Sequence, residues 1–364
     1  MLRRNRFSLR RTLFGMTKRR KGRRAPAVAG RRWSGVSRRD FLAGVVIAAV
    51  SLRACGRATS EASPGRLVRG LDSLKLVNWY PHDAAWSNLW TEASEEDIQQ
   101  DFSKIASLGA DGVRVIVNPY AFGYPRPLVA MEVKLGWIVD AAQKQGLRVQ
   151  LTLFDFWQDY ADTAASTDWM RTVLGPYKDD PRLCFVEVQN EVDPLDEKMR
   201  NWLQVLYPAT KSAVGSVPVT VSVTSGIGLA SIRQWVAWTR AAIPIDFFDM
   251  HWYGDSSEAQ AGIADLKAAC GGTFLFIGET GRTAQPDGSQ TAAESEALQA
   301  EYLTATILAC KAAGLPVPAP WVWQDFTSAA LKFVGGQSYQ LHFGLLRLDG
   351  SKRPAYGVMR RAFA

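Results

Sequence analysis

Two glutamates stand out by their neighbours. Glu191 closes the run Val188-Gln189-Asn190-Glu191 and is followed by Val192-Asp193-Pro194; Glu279 closes Phe276-Ile277-Gly278-Glu279 and is followed by Thr280-Gly281. Each acid sits where an apolar run gives way to polar chain, the exit of a strand. Two carboxyls brought across one cleft can share a reaction. One protonates a leaving oxygen, while the other attacks the carbon left behind or activates a water against it. Cleavage of a glycosidic bond requires that pairing, and it requires the two environments to differ.

The other run exits carry residues that would serve such a pair. They are Asn78-Trp79-Tyr80-Pro81-His82, Asn118, Asp155-Phe156-Trp157, His251-Trp252-Tyr253 and the passage Trp321-Val322-Trp323-Gln324. Arg114, inside Gly112-Val113-Arg114-Val115, offers a fixed positive charge to one carboxyl, and Tyr253 offers it a hydrogen bond. Asn190 can hold a sugar hydroxyl. Tryptophans present flat apolar faces to pyranose C–H faces; Trp323 and Trp157 are the candidates, with Trp321 expected one layer down in the core. Asn78 and His251 complete the candidate binding set. Each has a plainer reading: Arg114 as a structural ion-pair partner, His251 as a satisfied histidine, Asp155 as a helix cap. Glu187 reads as an inward polar residue with no assigned role. The chain has three histidines, at 82, 251 and 342, and no His-Glu-x-x-His spacing. No metal and no cofactor is therefore implied.

These residues need a scaffold that collects run exits at one rim. Apolar runs of strand length occur at Leu74–Trp79, Gly112–Val117, Leu147–Phe154, Cys184–Gln189, Pro218–Val223, Asp246–Met250, Phe274–Gly278 and Pro318–Gln324. They are near-continuously hydrophobic, as parallel strands covered on both faces should be. Helical patterns lie between them. One opens at Ser94 with three acids behind it and stops at Gly109, another spans Met131–Gln145, and Ser166–Tyr177 is weaker. Leu195–Val214, Ala230–Ile243, Ser257–Cys270, Ala293–Ala313 and Pro354–Phe363 follow. Eight strands alternating with eight helices predict an α/β fold, a single (β/α)8 TIM barrel over residues 68–364, whose chemistry lies at the C-terminal strand ends. No Gly-x-Gly-x-x-Gly follows the first strand, which argues against an open dinucleotide-binding sheet.

The net charge of +8 is an average over unlike parts. Residues 1–54 hold 16 Lys/Arg and one acid, leaving 27 Lys/Arg and 34 Asp/Glu for the rest. The predicted barrel is thus acidic, which removes electrostatic support for nucleic-acid binding. Within the basic leader, Ser37-Arg38-Arg39-Asp40-Phe41-Leu42 precedes an uncharged run, Ala43 to Leu52, too short to span a bilayer. The pattern resembles a twin-arginine export signal over residues 1–55, followed by a linker at 56–67. Leu52-Arg53-Ala54-Cys55 resembles a lipoprotein cleavage box. The mature chain is expected as a monomer, either extracellular or held on the outer side of the membrane by a lipid anchor at Cys55. The plainer reading is a basic leader on a cytoplasmic protein. Cys184, Cys270 and Cys310 have no metal-ligand spacing; Cys270 and Cys310 are expected as buried thiols, with pairing after export as the alternative.

With these motifs in view, residues 72–364 resemble glycoside hydrolase clan A, and within it the cellulase-like family five. Val188-Gln189-Asn190-Glu191 is similar to that clan's acid/base signature, and Phe276-Ile277-Gly278-Glu279 to its nucleophile strand. Arg114, His251-Trp252-Tyr253 and Trp323 match accessory positions, and Phe343-Gly344-Leu345 through Asp349-Gly350-Ser351-Lys352-Arg353-Pro354-Ala355 is similar to its last strand-to-helix passage. The resemblance implies a retaining β-glycosidase acting on a β-glucan, mannan or related β-linked oligo- or polysaccharide, with Glu191 as acid/base and Glu279 as nucleophile. Strand three ends in Asp155-Phe156-Trp157, where many members carry a histidine. A catalytically inactive glycan-binding barrel is the competing class; loss of either glutamate would mark it, and both are present.

Overall fold

The computed structural model describes residues 70–364. The twin-arginine motif, Cys55 and the 56–67 linker lie outside the described residues. Seven positions of a parallel barrel are regular strands: β1 (Leu76–Asn78), β2 (Gly112–Ile116), β3 (Arg148–Phe154), β4 (Leu183–Gln189), β5 (Val219–Thr220 with Ser222–Thr224), β6 (Phe248–Trp252) and β7 (Leu275–Thr280). Each pairs in parallel with the next, β5 joining β4 through its first half and β6 through its second. The ring closes through residues 319–323. There Thr280 N–H donates to Ala319, Trp321 N–H to Thr280, Asn78 N–H to Pro320 and Trp323 N–H to Asn78. The eight-fold alternation therefore forms the expected (β/α)8 barrel.

Eight helices of ten or more residues cover it among the described residues: α1 (Glu95–Leu108), α2 (Val129–Lys144), α3 (Thr163–Leu174), α4 (Glu197–Val214), α5 (Leu229–Ala242), α6 (Ala259–Ala269), α7 (Ala292–Ala312) and α8 (Pro354–Phe363). Their ends follow local chemistry. Ser94 Oγ accepts from Asp97 N–H and three acids occupy the first turn of α1, countering its dipole. Gly109 then ends α1 at φ 102°, with Phe363 of α8 against the space a side chain would need. Thr291 and Glu294 form a reciprocal cap on α7. The stripe Ile98, Phe102, Ile105 and Leu108 of α1 is buried, each such residue stabilising the fold by about 1.5–3 kcal/mol.

The eighth position departs from a regular strand. Only isolated bridges occur, at Pro320 with Thr280 and Gln324 with Leu346. Pro318 and Pro320 have no N–H to give to a ladder, and the Trp321–Val322 peptide bond is cis. Strand six begins at Phe248 rather than Asp246, whose carboxylate accepts from Val219 N–H at 2.7 Å and Lys211 Nζ at 2.6 Å. Cys184, Cys270 and Cys310 are buried free thiols, so the alternative pairing of Cys270 with Cys310 is not present. Seven of the thirteen tryptophans are less than 2% exposed, so core filling accounts for most of them.

Candidate active site

Arg114 organises the mouth of the barrel. It points inward from β2 and is 1% exposed. All three guanidinium nitrogens are used: Nε donates to Thr152 Oγ1 at 2.9 Å, Nη1 to Asn78 Oδ1 at 3.0 Å and to Glu279, and Nη2 to Glu187 Oε2 at 2.6 Å and Asn190 Oδ1 at 2.8 Å. Burial alone would favour losing the charge. Glu187, Glu279 and Asp249 more than offset it and hold the guanidinium above its usual range. Four side chains from β1, β3, β4 and β7, and Asn190 just past β4, are thereby fixed on one rigid fork.

Glu279, at the end of β7 and 5% exposed, is surrounded by donors. Besides Arg114, Tyr253 Oη donates to its Oε2 at 2.9 Å, and His251 Nδ1 stands 3.4 Å from the same oxygen. Burial, then the charges of Glu279 and Glu191, keep the Tyr253 phenol well above its ordinary range, so it stays a donor. Glu191 follows β4, with φ at 41° and its backbone N–H on Ser222 Oγ at 2.8 Å. Its side chain is 29% exposed, and His251 Nδ1 meets its Oε1 at 2.9 Å. Among the described residues no guanidinium or ammonium reaches Glu191. The two carboxyls thus differ: one is gripped by Arg114 and a phenol, the other opens to the cleft. An oxygen of each and a His251 nitrogen lie within 4.8 Å of one another.

His251 is fully buried between them. Desolvation pulls its pKa down, but Glu279 and Glu191 prevail and raise it to about 9. The imidazole is therefore cationic at neutral pH and its Nδ1–H is available to both glutamates. On the other side, Asn190 Nδ2 donates to Asp155 Oδ1 at 3.1 Å. Burial lifts Asp155 to about 7, with the Asn190 bond and Arg114 opposing the rise. Asn190 is thus held between Arg114 and Asp155, half exposed at the rim.

The predicted binding residues divide into three groups. Arg114, His251 and Tyr253 meet at the two glutamates, and Asn190 joins them through Arg114. Asn78 is fully buried and acts at one remove: its Nδ2 donates to Gly278 O at 2.8 Å while its oxygen takes Arg114, so it holds the backbone leading into Glu279. The two expected platforms are corrected. Trp323 is 0% exposed and Trp157 1% exposed; the first lies in the core and the second is wrapped by Tyr120, Tyr124 and Phe154. Neither offers a free face. Trp321, placed one layer down by sequence, is the half-exposed indole, packed edge-on to Tyr80 and tilted on Trp86. The order inverts because residues 319–323 do not follow regular strand alternation, so period-two counting fails there.

Sequence reasoning left out two buried acids that line the barrel under this rim. Glu187 takes Arg114, Thr152 Oγ1 at 2.6 Å and Gln150 Nε2 at 3.1 Å. Asp249 stands two residues before His251. The available signal was spacing: Gln150 and Thr152, Thr220 and Ser222, and Asp249 and His251 are polar pairs two apart in otherwise apolar strands, the mark of one inward face. Glu187, Asp249 and His251, like Glu191, His251 and Glu279, are spaced closely enough to converge on one cation. The Arg114 guanidinium already supplies positive charge to both sets, and neither is assigned as a metal site.

No family model matches the chain, and no curated protein does. Solved structures share its architecture. The exo-β-1,4-mannosidase Op5Man5 from Opitutaceae bacterium strain TAV5 is similar at TM-score 0.64 and 20% identity, covering 79% of this chain and 58% of that one. A GH5_18 variant from Streptomyces cattleya, in complex with Manβ1-4GlcNAc, is similar at 0.62 and 19%, covering 80% of each. A GH2 β-galacturonidase from Eisenbergiella tayi bound to galacturonate is similar at 0.61 and 15%, covering 80% and 50%. The chain therefore spans little more than half of the mannosidase and half of the galacturonidase, and what it shares with all three is the barrel fold.

Proposed function

We propose that this chain is a retaining β-glycosidase with Glu279 as nucleophile and Glu191 as acid/base. The observation that carries the reading is the pair of unlike carboxyls at one rim, with oxygens within 4.8 Å. Retaining pairs stand about 5–5.5 Å apart and inverting pairs about 6.5–9.5 Å, the latter leaving room for a water. In the first step Glu279 attacks the anomeric carbon as Glu191 passes its proton to the departing oxygen, leaving a glycosyl ester on Glu279. In the second, Glu191 takes a proton from water, whose oxygen attacks the same carbon and frees Glu279. Arg114 and Tyr253 hold the Glu279 carboxylate in line, and His251 spans both glutamates. Trp321 supplies the flat face for a pyranose.

Among β-glucan, mannan and related β-glycosides, a β-mannosyl substrate is favoured. The support is that the similar structures include an exo-β-1,4-mannosidase and an enzyme bound to Manβ1-4GlcNAc. Export through the twin-arginine route, with Cys55 as the anchor position, is part of the same proposal and rests on the leader motif.

The roles are tested with an aryl β-mannoside and aryl β-glucoside bearing an acidic leaving group. Glu279→Ala should abolish turnover. Glu191→Ala should retain the first step and stall in the second, since general acid–base catalysis is worth about 10²–10⁴-fold. Azide should rescue the Glu191 variant to a β-glycosyl azide and the Glu279 variant to an α-glycosyl azide. Products the other way round reverse the assignment. Saccharide binding without turnover by the unaltered protein would instead identify an inactive glycan-binding barrel.

A further inference from the structure

Behind the two glutamates lies a second group of polar atoms that the mechanism above does not use. Both oxygens of Asp249, Glu187 Oε1 and His251 Nε2 are buried and make no hydrogen bond to any described residue. They are not scattered: ligand atoms of Glu187, Asp249 and His251 all lie within 4.8 Å of one another. Asp249 is 1% exposed and is pressed against the strand carrying the nucleophile. A side-chain carbon added to Gly278 would fall 2.2 Å from its Oδ1, so any larger residue before Glu279 would have to displace the Asp249 carboxylate. The barrel has kept an acid where a layer of aliphatic side chains usually sits.

We propose that Asp249 is a positioning residue that sustains the charge of His251 from the buried cluster the two share with Glu187, so that Nδ1–H remains directed at Glu191 and Glu279. The inference rests on the glycosidase reading for its catalytic consequence, but not for the coupling itself. The groups facing Asp249 are Glu187 from β4, Arg114 from β2, Glu279 from β7 and His251 from its own strand. Those facing the imidazole are Glu279, Glu191, Asp249 and, within the same cluster, Glu187. Glu187 is paired with Arg114, whereas neither oxygen of Asp249 makes a hydrogen bond to any described residue.

Geometry and titration agree. Burial raises Asp249 to about 7, against the pull of His251, and His251 sits at about 9. Below about pH 7 Asp249 holds a proton, and His251 keeps its charge through the glutamates alone. As pH rises past 7, Asp249 ionises and its charge reinforces the imidazolium. Between about 7 and 9 the acid sustains the charge on the histidine.

The experiment is a pH titration of histidine ring signals by NMR in the full chain. It has three histidines, and His251→Gln assigns the one of interest. In the unaltered protein the His251 signal should show its main transition near 9 and a smaller inflection near 7 reporting Asp249. In Asp249→Asn the main transition should fall by about 1–3 pH units, the effect of one nearby charge, and the inflection should vanish. The kcat/KM of the variant should match the unaltered protein below about pH 6 and drop away between 7 and 9. A His251 transition that stays in place in D249N overturns the inference, as does a loss of activity uniform across pH. The inflection in the unaltered protein tests the coupling even where the variant fails to fold, and its absence likewise overturns it. A shifted transition in a protein without glycosidase activity would support the coupling while refuting the proposed function.

Discussion

Replacing Arg114 separates its charge from its shape. Arg114→Lys keeps one positive charge but replaces a planar fork with a point. Lysine has three donors for the five acceptors now served, namely Thr152, Asn78, Glu279, Glu187 and Asn190. Glu187 and Glu279 would claim the ammonium, so two or three neutral bonds go. At about 1 kcal/mol each, the loss is about 2–3 kcal/mol, or a melting temperature about 3–5 °C lower for a domain of this size. Asn78 and Asn190 would then lose the orientation that Arg114 imposes, and turnover should fall by about 10²–10³-fold, as for removal of one aligned donor. Arg114→Met goes further, because both acids lose their cation inside the barrel; breaking a buried pair from one side costs about 3–5 kcal/mol. Adding Glu187→Gln to that variant removes one stranded acid and should restore part of the stability, with a coupling of about 1–3 kcal/mol. Thermal unfolding of the three variants and the Glu187→Gln single variant, with kcat/KM on an aryl β-mannoside, reads all of this. A lysine variant that melts and turns over like the parent, or strictly additive losses for Arg114→Met and Glu187→Gln, would refute Arg114 as the shared organiser.

The tryptophan order gives a paired test. Trp321→Ala should weaken saccharide binding by about tenfold, ~1.4 kcal/mol, with little change in melting temperature, whereas Trp323→Ala should cost about 3–5 kcal/mol of stability; the reverse pattern in binding titrations and melts would restore Trp323 as the platform. Stability should fall as pH rises from about 4 to 9. Asp155 and Asp249, each raised from 3.8 to about 7, bind protons more tightly when folded, and their contribution is lost between those values. His251, raised from 6.5 to about 9, stabilises fully below 6.5, and its contribution, about 3 kcal/mol at ~1.4 kcal/mol per pH unit, is lost by about 9. Denaturant titrations at pH 5, 7 and 9 check the sign, and rising stability along that series would contradict it. Changing Arg38 and Arg39 together to lysine should retain the protein in the cytoplasm on fractionation, and an unchanged location would remove the twin-arginine proposal.

The barrel was legible because its signal is local and repeated. Each run from Gly112–Ile116 to Leu275–Thr280 is mainly apolar, with its polar residues confined to a few positions, and helix ends carry local stops, as Gly109 shows for α1. The rim was legible for the same reason: Asn190, Glu191, Tyr253 and Glu279 all lie at or just past a strand end. What failed depended on backbone irregularity or on partners far along the chain. Trp321 and Trp323 exchanged places because residues 319–323, with their prolines, do not keep a strand's alternation. Glu187 had no assigned role because its meaning comes from Arg114, 73 residues earlier, and the acceptor role of Glu279 depends on the same guanidinium, 165 residues away. Asp249 was passed over because an acid two residues before a histidine has no local consequence. Its consequence arises only when β6 packs beside β7 and its carboxyl comes to rest on Gly278. A polar residue inside an apolar strand therefore gains meaning from the inward residues of neighbouring strands. In this barrel those residues form a charged layer, with Arg114, Glu187, Asp249 and His251 beneath the two glutamates, and the difference between the glutamates follows from which members of that layer each one touches.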